Sequence, residues 1–199
     1  MSKLTHIFFD IGSTLVDETE CYNHRIRDMI AGTDITFEKF SEKSRLIGFG
    51  EAIKFFGLTK TPWHSEDERL YPDTTEILRY LCDRGYTLGI IANQAAGTEQ
   101  RLEKWGIRQF FGSVTASTEE GVAKPDLEIF RRAFEKADCS ADCSVMVGDR
   151  LDNDIAPAKA LGMKTVWIKQ GLSVYSSPQG DFERADYTVS DLMELKNLF

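Results

Sequence analysis

Three short stretches of this sequence carry side chains that can perform phosphoryl-transfer chemistry. The first is Asp10, which ends the apolar run His6–Phe9 and precedes a turn of small residues. A carboxylate at the end of a buried strand is partly desolvated, so it is well placed to attack or to bind a metal. Lys124–Asp126 and Gly148–Asp154 each lie near the end of another strand-like run. Together the three stretches indicate a metal-assisted phosphoryl-transfer site.

The elements that must position these residues alternate between strand-like and helical patterns. Short β-branched or aromatic runs are followed by segments whose apolar residues recur at helical spacing. The predicted strands are Thr5–Phe9, Tyr86–Ile91, Ser113–Ala116, Ser144–Val147, Lys164–Ile168 and Tyr187–Val189, and the predicted helices are Thr74–Arg84, Thr98–Trp105, Asp126–Ala137, Asp152–Leu161 and Asp191–Leu198. This alternation predicts an α/β fold, a three-layer Rossmann-like parallel sheet with helices on both faces.

Ligands bind at the carboxyl ends of the strands in sheets of this kind. Asp10, Asn93 and Asp149 each follow the end of a predicted strand. The sequence therefore predicts that these three side chains converge at one edge of the sheet, although they are far apart along the chain.

Residues 16–71 interrupt the alternation. They contain three helical patterns with no strand between them, Cys21–Ala31, Thr36–Leu46 and Gly50–Phe56. We therefore predict a Rossmann-like catalytic core of residues 1–15 and 72–199 and a small all-helical insertion over residues 16–71. An insertion near the active edge can act as a lid.

Composition and charge exclude several classes of function. The 199 residues are 42% hydrophobic and 28% charged, which is typical of a globular protein. A net charge of −8 opposes binding to nucleic acid. We do not expect the first residues to form a secretory leader, and no apolar stretch approaches the roughly 20 residues of a membrane span. The four cysteines lack a second Cys/His pair for a zinc site, so we expect free thiols in a cytoplasmic protein without a membrane partner.

The ordered set Asp10, Asn93, Lys124-Pro125-Asp126 and Gly148-Asp149-x-x-x-x-Asp154 resembles the haloacid dehalogenase-like superfamily, whose members are mostly phosphatases. The resemblance covers the whole chain, and residues 16–71 stand where this family inserts a helical cap. Each motif is short and weak alone, but the four in this order at strand ends are a specific signal.

The resemblance implies a role for each residue. Asp10 would attack phosphorus and form an aspartyl-phosphate, and Lys124 would supply a fixed cation for the nucleophile and the phosphate oxygens. Mg²⁺ would be held by Asp10, Asp149 and the backbone carbonyl of Gly12. Asp154 would lie in the outer shell of the metal or reach it directly.

The remaining implied contacts are to the phosphate itself. Asn93 and the N–H groups that follow Asp10, at Ser13 among them, would bind phosphate oxygens together with Lys124. The implied partner is a small phosphorylated metabolite, and the chain is expected to be a monomer or a homodimer. The identity of the substrate stays open, because the insertion carries no recognisable signature.

Two positions depart from the family pattern. Family phosphatases carry a second Asp two residues after the nucleophile as general acid and base, and here that residue is Gly12. The hydroxyl residue expected before Asn93 is Ala92. General acid–base help is typically worth about 10²–10⁴-fold, so slow turnover of alkyl phosphates is expected. Asp17, Glu18, His24 or another residue of the insertion is left open as a substitute.

Three other functions stay open at this point. A protein that binds a phosphorylated ligand without turnover would fit the absence of both groups. A carbon–halogen hydrolase would also fit Gly12, because a halide leaves without a proton, although such enzymes need no metal. Finally, Asp10–Thr14 resembles the first phosphate motif of the sugar-kinase and actin-like ATPases, but that fold needs two similar lobes and a longer chain.

Overall fold

The computed structural model describes residues 3–199 and divides the chain into two compact units. One unit runs up to Val16 and resumes from Leu70 to Phe199, and the other is Asp17–Arg69. The segments that join them, Val16–Asp17 and Arg69–Leu70, pair as a two-stranded sheet. The role of the second unit as a cap stays a prediction.

The strands are β1 His6–Phe9, β2 Val16–Asp17, β3 Arg69–Leu70, β4 Thr87–Ala92, β5 Phe111–Ala116, β6 Ser144–Gly148, β7 Lys164–Ile168 and β8 Tyr187–Val189. Six of them form the parallel sheet of the first unit, in the order β5-β4-β1-β6-β7-β8. The α-helices are α1 Thr19–Ile30, α2 Phe37–Ile47, α3 Phe49–Phe55, α4 Thr74–Asp83, α5 Thr98–Lys104, α6 Ser117–Glu120, α7 Leu127–Ala137 and α8 Ala156–Ala160. The predicted α/β class with a parallel sheet is confirmed.

Both faces of the sheet are buried, because helices cover each of them. Successive side chains of a strand point to opposite faces, and β1 divides accordingly. Ile7 and Phe9 belong to the apolar cluster that also contains residues of α4. Phe8 belongs to the cluster formed with α7 and α8 on the other side. A strand buried on both faces has no polar alternation, which explains the continuous apolar run in the sequence.

Two helices differ in kind from their sequence predictions. The segment predicted as one helix, Asp152–Leu161, begins as a π-helix over Leu151–Ile155 and continues as α8. The segment predicted as a final α-helix is a 3₁₀-helix, Leu192–Asn197. Apolar periodicity locates a helical segment but does not distinguish hydrogen-bonding patterns that differ by one residue.

The second unit is entirely helical apart from its joining strands and has a small core of its own. Ile26 and Met29 of α1, Phe40 of α2 and Ala52 of α3 are buried together. The hydroxyl of Thr36 accepts a hydrogen bond from the Lys39 N–H and so caps the start of α2. Within residues 3–199, no helix is long and apolar enough to span a membrane.

Gly89 gives the centre of the sheet a close contact that only glycine permits. A Cβ atom there would lie 2.7 Å from two ring carbons of Phe8 and 2.9 Å from the Ser113 hydroxyl. Phe8 is fully buried, so its ring has little room to withdraw.

We expect Gly89→Ala to lower the free energy of unfolding by about 1–3 kcal/mol, because it overpacks this contact. Urea denaturation measures the change. Gly112→Ala is the matched control, since a Cβ there would meet its nearest atom at 3.4 Å. Equal stability of the two variants would contradict the assigned packing.

Candidate active site

The carboxyl ends of β1, β4 and β6 bring the predicted site residues to one edge of the sheet. Phe9 of β1 is in register with Ile90 of β4 and Val147 of β6, so the three strands end at nearly the same level. The Asp10 N–H continues this pairing by donating to the Val147 carbonyl at 2.9 Å. Asp10 therefore leaves the sheet beside Asp149, as the strand-end argument predicts.

The ammonium group of Lys124 is the centre of the site. Its Nζ atom lies 2.6 Å from Oδ1 of Asp10, 2.6 Å from Oδ1 of Asp154 and 2.9 Å from the carbonyl oxygen of Ile91. An ammonium has three protons, so all three are donated. Only 2% of the Lys124 side chain is exposed. The cation is thus fixed in position and almost fully removed from water.

Burial and charge act in opposite directions on this group. Burial disfavours the charged ammonium, but the charges of Asp10 and Asp154 outweigh it and raise the pKa of Lys124. For Asp154, burial is the larger effect and raises its pKa to about 6, although the Lys124 charge opposes the shift. Desolvation of the Asp154 carboxylate is unfavourable, and its hydrogen-bonded ion pair with Lys124 offsets part of that cost.

The side chain of Asn93 fixes the backbone of Lys124. Its Oδ1 accepts from the Lys124 N–H at 2.8 Å, and its Nδ2 donates to the Lys124 carbonyl at 2.9 Å. This double contact joins the end of β4 to the loop before α7. Asn93 therefore positions the cation in this structure, a contact that the sequence did not indicate, and its predicted role as a phosphate donor stays a prediction.

Three carboxylates are close enough to share a metal ion. One oxygen each of Asp10, Asp149 and Asp154 lie within 4.8 Å of one another. Hard carboxylate oxygens are the ligands that Mg²⁺ prefers. The donor set therefore fits Mg²⁺.

Asp154 accepts a hydrogen bond at each of its two carboxylate oxygens. Oδ1 accepts from Lys124 and Oδ2 accepts from the Arg150 N–H at 2.9 Å. Gly148 makes room for it, because a Cβ atom there would lie 2.3 Å from Oδ2 of Asp154. The π-helix begins directly after Arg150 and carries Asp154 back towards the strand end. The glycine before Asp149 is thus a steric requirement of the site.

Asp149 is held through its backbone. Its carbonyl accepts a hydrogen bond from Nε1 of Trp167 at 2.8 Å. Trp167 lies on β7, the neighbour of β6, and is 5% exposed. A tryptophan in a strand-like run gives no sign of such a contact in the sequence, so this positioning residue was missed.

The turn after Asp10 folds back on itself. The Ser13 N–H donates to the Val16 carbonyl at 2.8 Å, so in this structure it is engaged within the turn. Ser13 has a positive φ of 55°, an uncommon conformation for a residue other than glycine. Gly171 accommodates it, since a Cβ there would lie 2.8 Å from the Ser13 hydroxyl oxygen. The phosphate contact of Ser13 and the metal contact of the Gly12 carbonyl stay predictions.

Comparisons with known proteins agree with this geometry. A family profile described as haloacid dehalogenase-like hydrolase matches residues 7–168. The chain is 40% identical, over an alignment 220 positions long, to a glyceraldehyde 3-phosphate phosphatase of Methanocaldococcus jannaschii. The match covers 96% of this chain and 95% of that protein.

Solved structures share the fold over nearly the whole chain. A HAD phosphatase from Thermococcus onnurineus is 26% identical with a TM-score of 0.67, and the match covers 98% of this chain and 97% of that one. YfnB from Bacillus subtilis, a HAD hydrolase whose structure was determined bound to magnesium, has a TM-score of 0.74 with 99% of each chain covered. Its identity is 19%, so that likeness shows the fold alone.

The burial of Asp154 predicts a pH dependence of stability. Its pKa rises from an ordinary 3.8 to about 6 on folding, so the folded chain binds more protons than the unfolded chain between these values. The associated stability is present below pH 3.8 and is lost as the pH rises through about 6. In the wild-type chain the free energy of unfolding should therefore fall between pH 4 and 7, and we expect a smaller fall in Asp154→Asn.

Urea denaturation in the presence of a metal chelator measures this difference. Asp152→Asn is the matched control, because Asp152 is exposed and its pKa is lowered, so most of its titration lies below this window. An unchanged pH profile in Asp154→Asn would contradict the assignment.

Proposed function

The chain belongs to the haloacid dehalogenase-like hydrolase family, and we propose that it is a Mg²⁺-dependent phosphatase of small phosphorylated metabolites. The observation that carries this proposal is the buried ammonium of Lys124 between Asp10 and Asp154. A fixed cation beside a strand-end carboxylate is what a phosphate-attacking nucleophile needs, because phosphoryl transfer depends mainly on positioning and charge neutralisation.

The proposed substrate class follows from the curated relatives. Glyceraldehyde 3-phosphate phosphatases of Methanocaldococcus jannaschii and Pyrococcus abyssi are 40% and 34% identical to the chain. We therefore place the substrate among phosphate monoesters of three-carbon or similarly small metabolites, with glyceraldehyde 3-phosphate as the first to test.

In the first proposed step, a carboxylate oxygen of Asp10 attacks phosphorus. A new bond joins that oxygen to phosphorus while the bond between phosphorus and the leaving oxygen breaks. Oδ1 of Asp10 accepts a hydrogen bond from Lys124, so we assign the attack to Oδ2. Water then attacks the aspartyl-phosphate at phosphorus, releases phosphate and restores the carboxylate.

Asp10 and Asp149, with the Gly12 carbonyl, would hold Mg²⁺, which when bound neutralises the charge of the phosphate oxygens. Asp154 would lie in the outer shell of this set, where its Oδ1 accepts a hydrogen bond from Lys124 and its Oδ2 accepts one from the Arg150 N–H. Its part is to position Lys124. The ammonium donates all three protons to protein acceptors, so it acts on the phosphate through its charge.

Gly12 sets the limit of this chemistry. The departing oxygen of an alkyl phosphate needs a proton, and glycine has no side chain to supply it. Aryl and acyl phosphates have leaving groups that depart without that help. Their faster turnover is therefore part of the proposal.

A second candidate is a protein that binds a phosphorylated ligand without hydrolysing it. Gly12 and Ala92 together favour it, because they remove the proton donor and a phosphate hydroxyl donor. Binding of metabolite phosphates with no release of inorganic phosphate from any ester would support this candidate. Release of halide from 2-haloacids without Mg²⁺ would support a carbon–halogen hydrolase instead.

We expect Asp10→Asn to reduce Mg²⁺-dependent hydrolysis of an aryl phosphate to background, because the amide cannot attack phosphorus. Release of the aryl alcohol measures the rate. Asp83→Asn makes the same change of charge at an exposed residue that ends α4 and is expected to retain full activity. Full activity in Asp10→Asn would refute the nucleophile and with it the proposed mechanism.

We expect Gly12→Asp to increase kcat/KM for alkyl phosphates by about 10²–10⁴-fold and to change aryl phosphate hydrolysis little. The added carboxyl group would supply the missing proton. Gly12→Asn is the matched control, since it has similar size without an ionisable proton. A wild-type protein that hydrolyses alkyl and aryl phosphates at equal rates would show that another residue already acts as the acid.

A further inference from the structure

The helical unit holds a second cluster of ionisable side chains, centred on His24 and His64. These are two of the three histidines in the chain. Their rings are stacked with centroids 3.5 Å apart and planes 10° from parallel. One nitrogen of each ring and one carboxylate oxygen of Glu66 lie within 4.8 Å of one another. All residues of the cluster belong to the unit Asp17–Arg69, whereas the residues assigned to phosphoryl transfer belong to the other unit.

The local structure brings the two histidines together. His24 and Asp28 stand four residues apart on α1 and so share one face of the helix. His64 precedes the 3₁₀-helix Ser65–Asp67 and reaches this face, where its Nε2 lies 2.6 Å from Oδ2 of Asp28.

A buried arginine on α1 anchors the segment that carries His64. The Nε of Arg25 donates to the Pro62 carbonyl at 3.3 Å, and its guanidinium lies 4.5 Å from the centre of the Trp63 ring. The ring nitrogen of Trp63 in turn donates to Glu68 at 2.8 Å. The approach of His64 to α1 is therefore fixed by its neighbours rather than left to a mobile loop.

Each imidazole already has a carboxylate on one nitrogen. Nδ1 of His24 lies 2.9 Å from Oδ2 of Asp67, and Nε2 of His64 pairs with Asp28. A carboxylate on the far nitrogen is the arrangement that orients metal-binding histidines and increases their basicity. The nitrogens opposite these contacts are Nε2 of His24 and Nδ1 of His64, and the latter lies 3.1 Å from Oε1 of Glu66.

We propose that His24, His64 and Glu66 bind a divalent transition-metal ion of the Zn²⁺ type, with Asp67 and Asp28 as the outer carboxylates. Two imidazoles and one carboxylate suit Zn²⁺, whereas the all-oxygen cluster around Asp10 suits Mg²⁺. Three protein ligands leave a fourth tetrahedral position for water. The chain thus separates a nitrogen-rich metal site in its helical unit from an oxygen site in its core.

Binding would change the arrangement of the rings. The rings of His24 and His64 are nearly parallel, so their nitrogen lone pairs point in parallel directions. One ion can bind both nitrogens only if the rings tilt towards it. The His24 side chain is 43% exposed and can turn more freely than the His64 side chain, which is 20% exposed. The bound ion would link α1 to the segment that carries His64 and so stabilise the helical unit.

Calorimetric titration of the full chain with Zn²⁺ tests the proposal. The buffer contains excess Mg²⁺ to occupy the carboxylate site around Asp10. We expect His24→Gln and His64→Gln each to weaken Zn²⁺ binding at least tenfold, and Asp28→Asn to weaken it by about 10–100-fold through loss of the outer carboxylate. His6→Gln is the control, because His6 lies on β1 outside the cluster and its loss should leave Zn²⁺ affinity unchanged.

The wild-type chain supplies a second test that needs no variant. We expect one equivalent of Zn²⁺ to shift the imidazole NMR signals of His24 and His64 and to leave those of His6 in place. Wild-type affinity in both histidine variants, or unmoved signals of His24 and His64 at saturating Zn²⁺, would overturn the proposal.

Discussion

The hydrogen bonds of the Lys124 ammonium are the constraint on which the rest of the core unit depends. They tie the end of β1 at Asp10, the end of β4 at Ile91 and the π-helix at Asp154 to one buried atom. A buried charge is tolerated only when it is paired and fully hydrogen-bonded. Three features help to pair this charge: the strand register, the two hydrogen bonds from the Asn93 side chain to the Lys124 backbone, and the space that Gly148 leaves for Asp154.

The sequence predicted the sheet and the edge where the site lies, but not how the site is held together. Continuous apolar runs at regular intervals are sufficient for strands, and polar residues after them are sufficient for a site at the strand ends. The pairing of Lys124 with Asp154, the contact of Trp167 with Asp149 and the engaged N–H of Ser13 depend on side-chain placement. Periodicity carries no information about such contacts, nor about the π-helix.

The proposed chemistry and the stability of the core have different requirements. Burial is unfavourable for the charge of Asp154, and the neighbouring charge of Asp10 is unfavourable for it as well. The two apolar clusters beside the sheet stabilise the fold and so offset the cost of these buried charges. Gly12 adds no ionisable side chain to these charges.

The strand order has a consequence for how the chain folds during synthesis. β1 leaves the ribosome first, yet its partners β4 and β6 are translated long after it. Until then, its apolar side chains and its backbone hydrogen-bonding groups are without their native neighbours, a condition that favours aggregation. The helical unit follows β1 at once and has a local core, so it can form while β1 waits. β1 is therefore the strand of this sheet that waits longest for a partner.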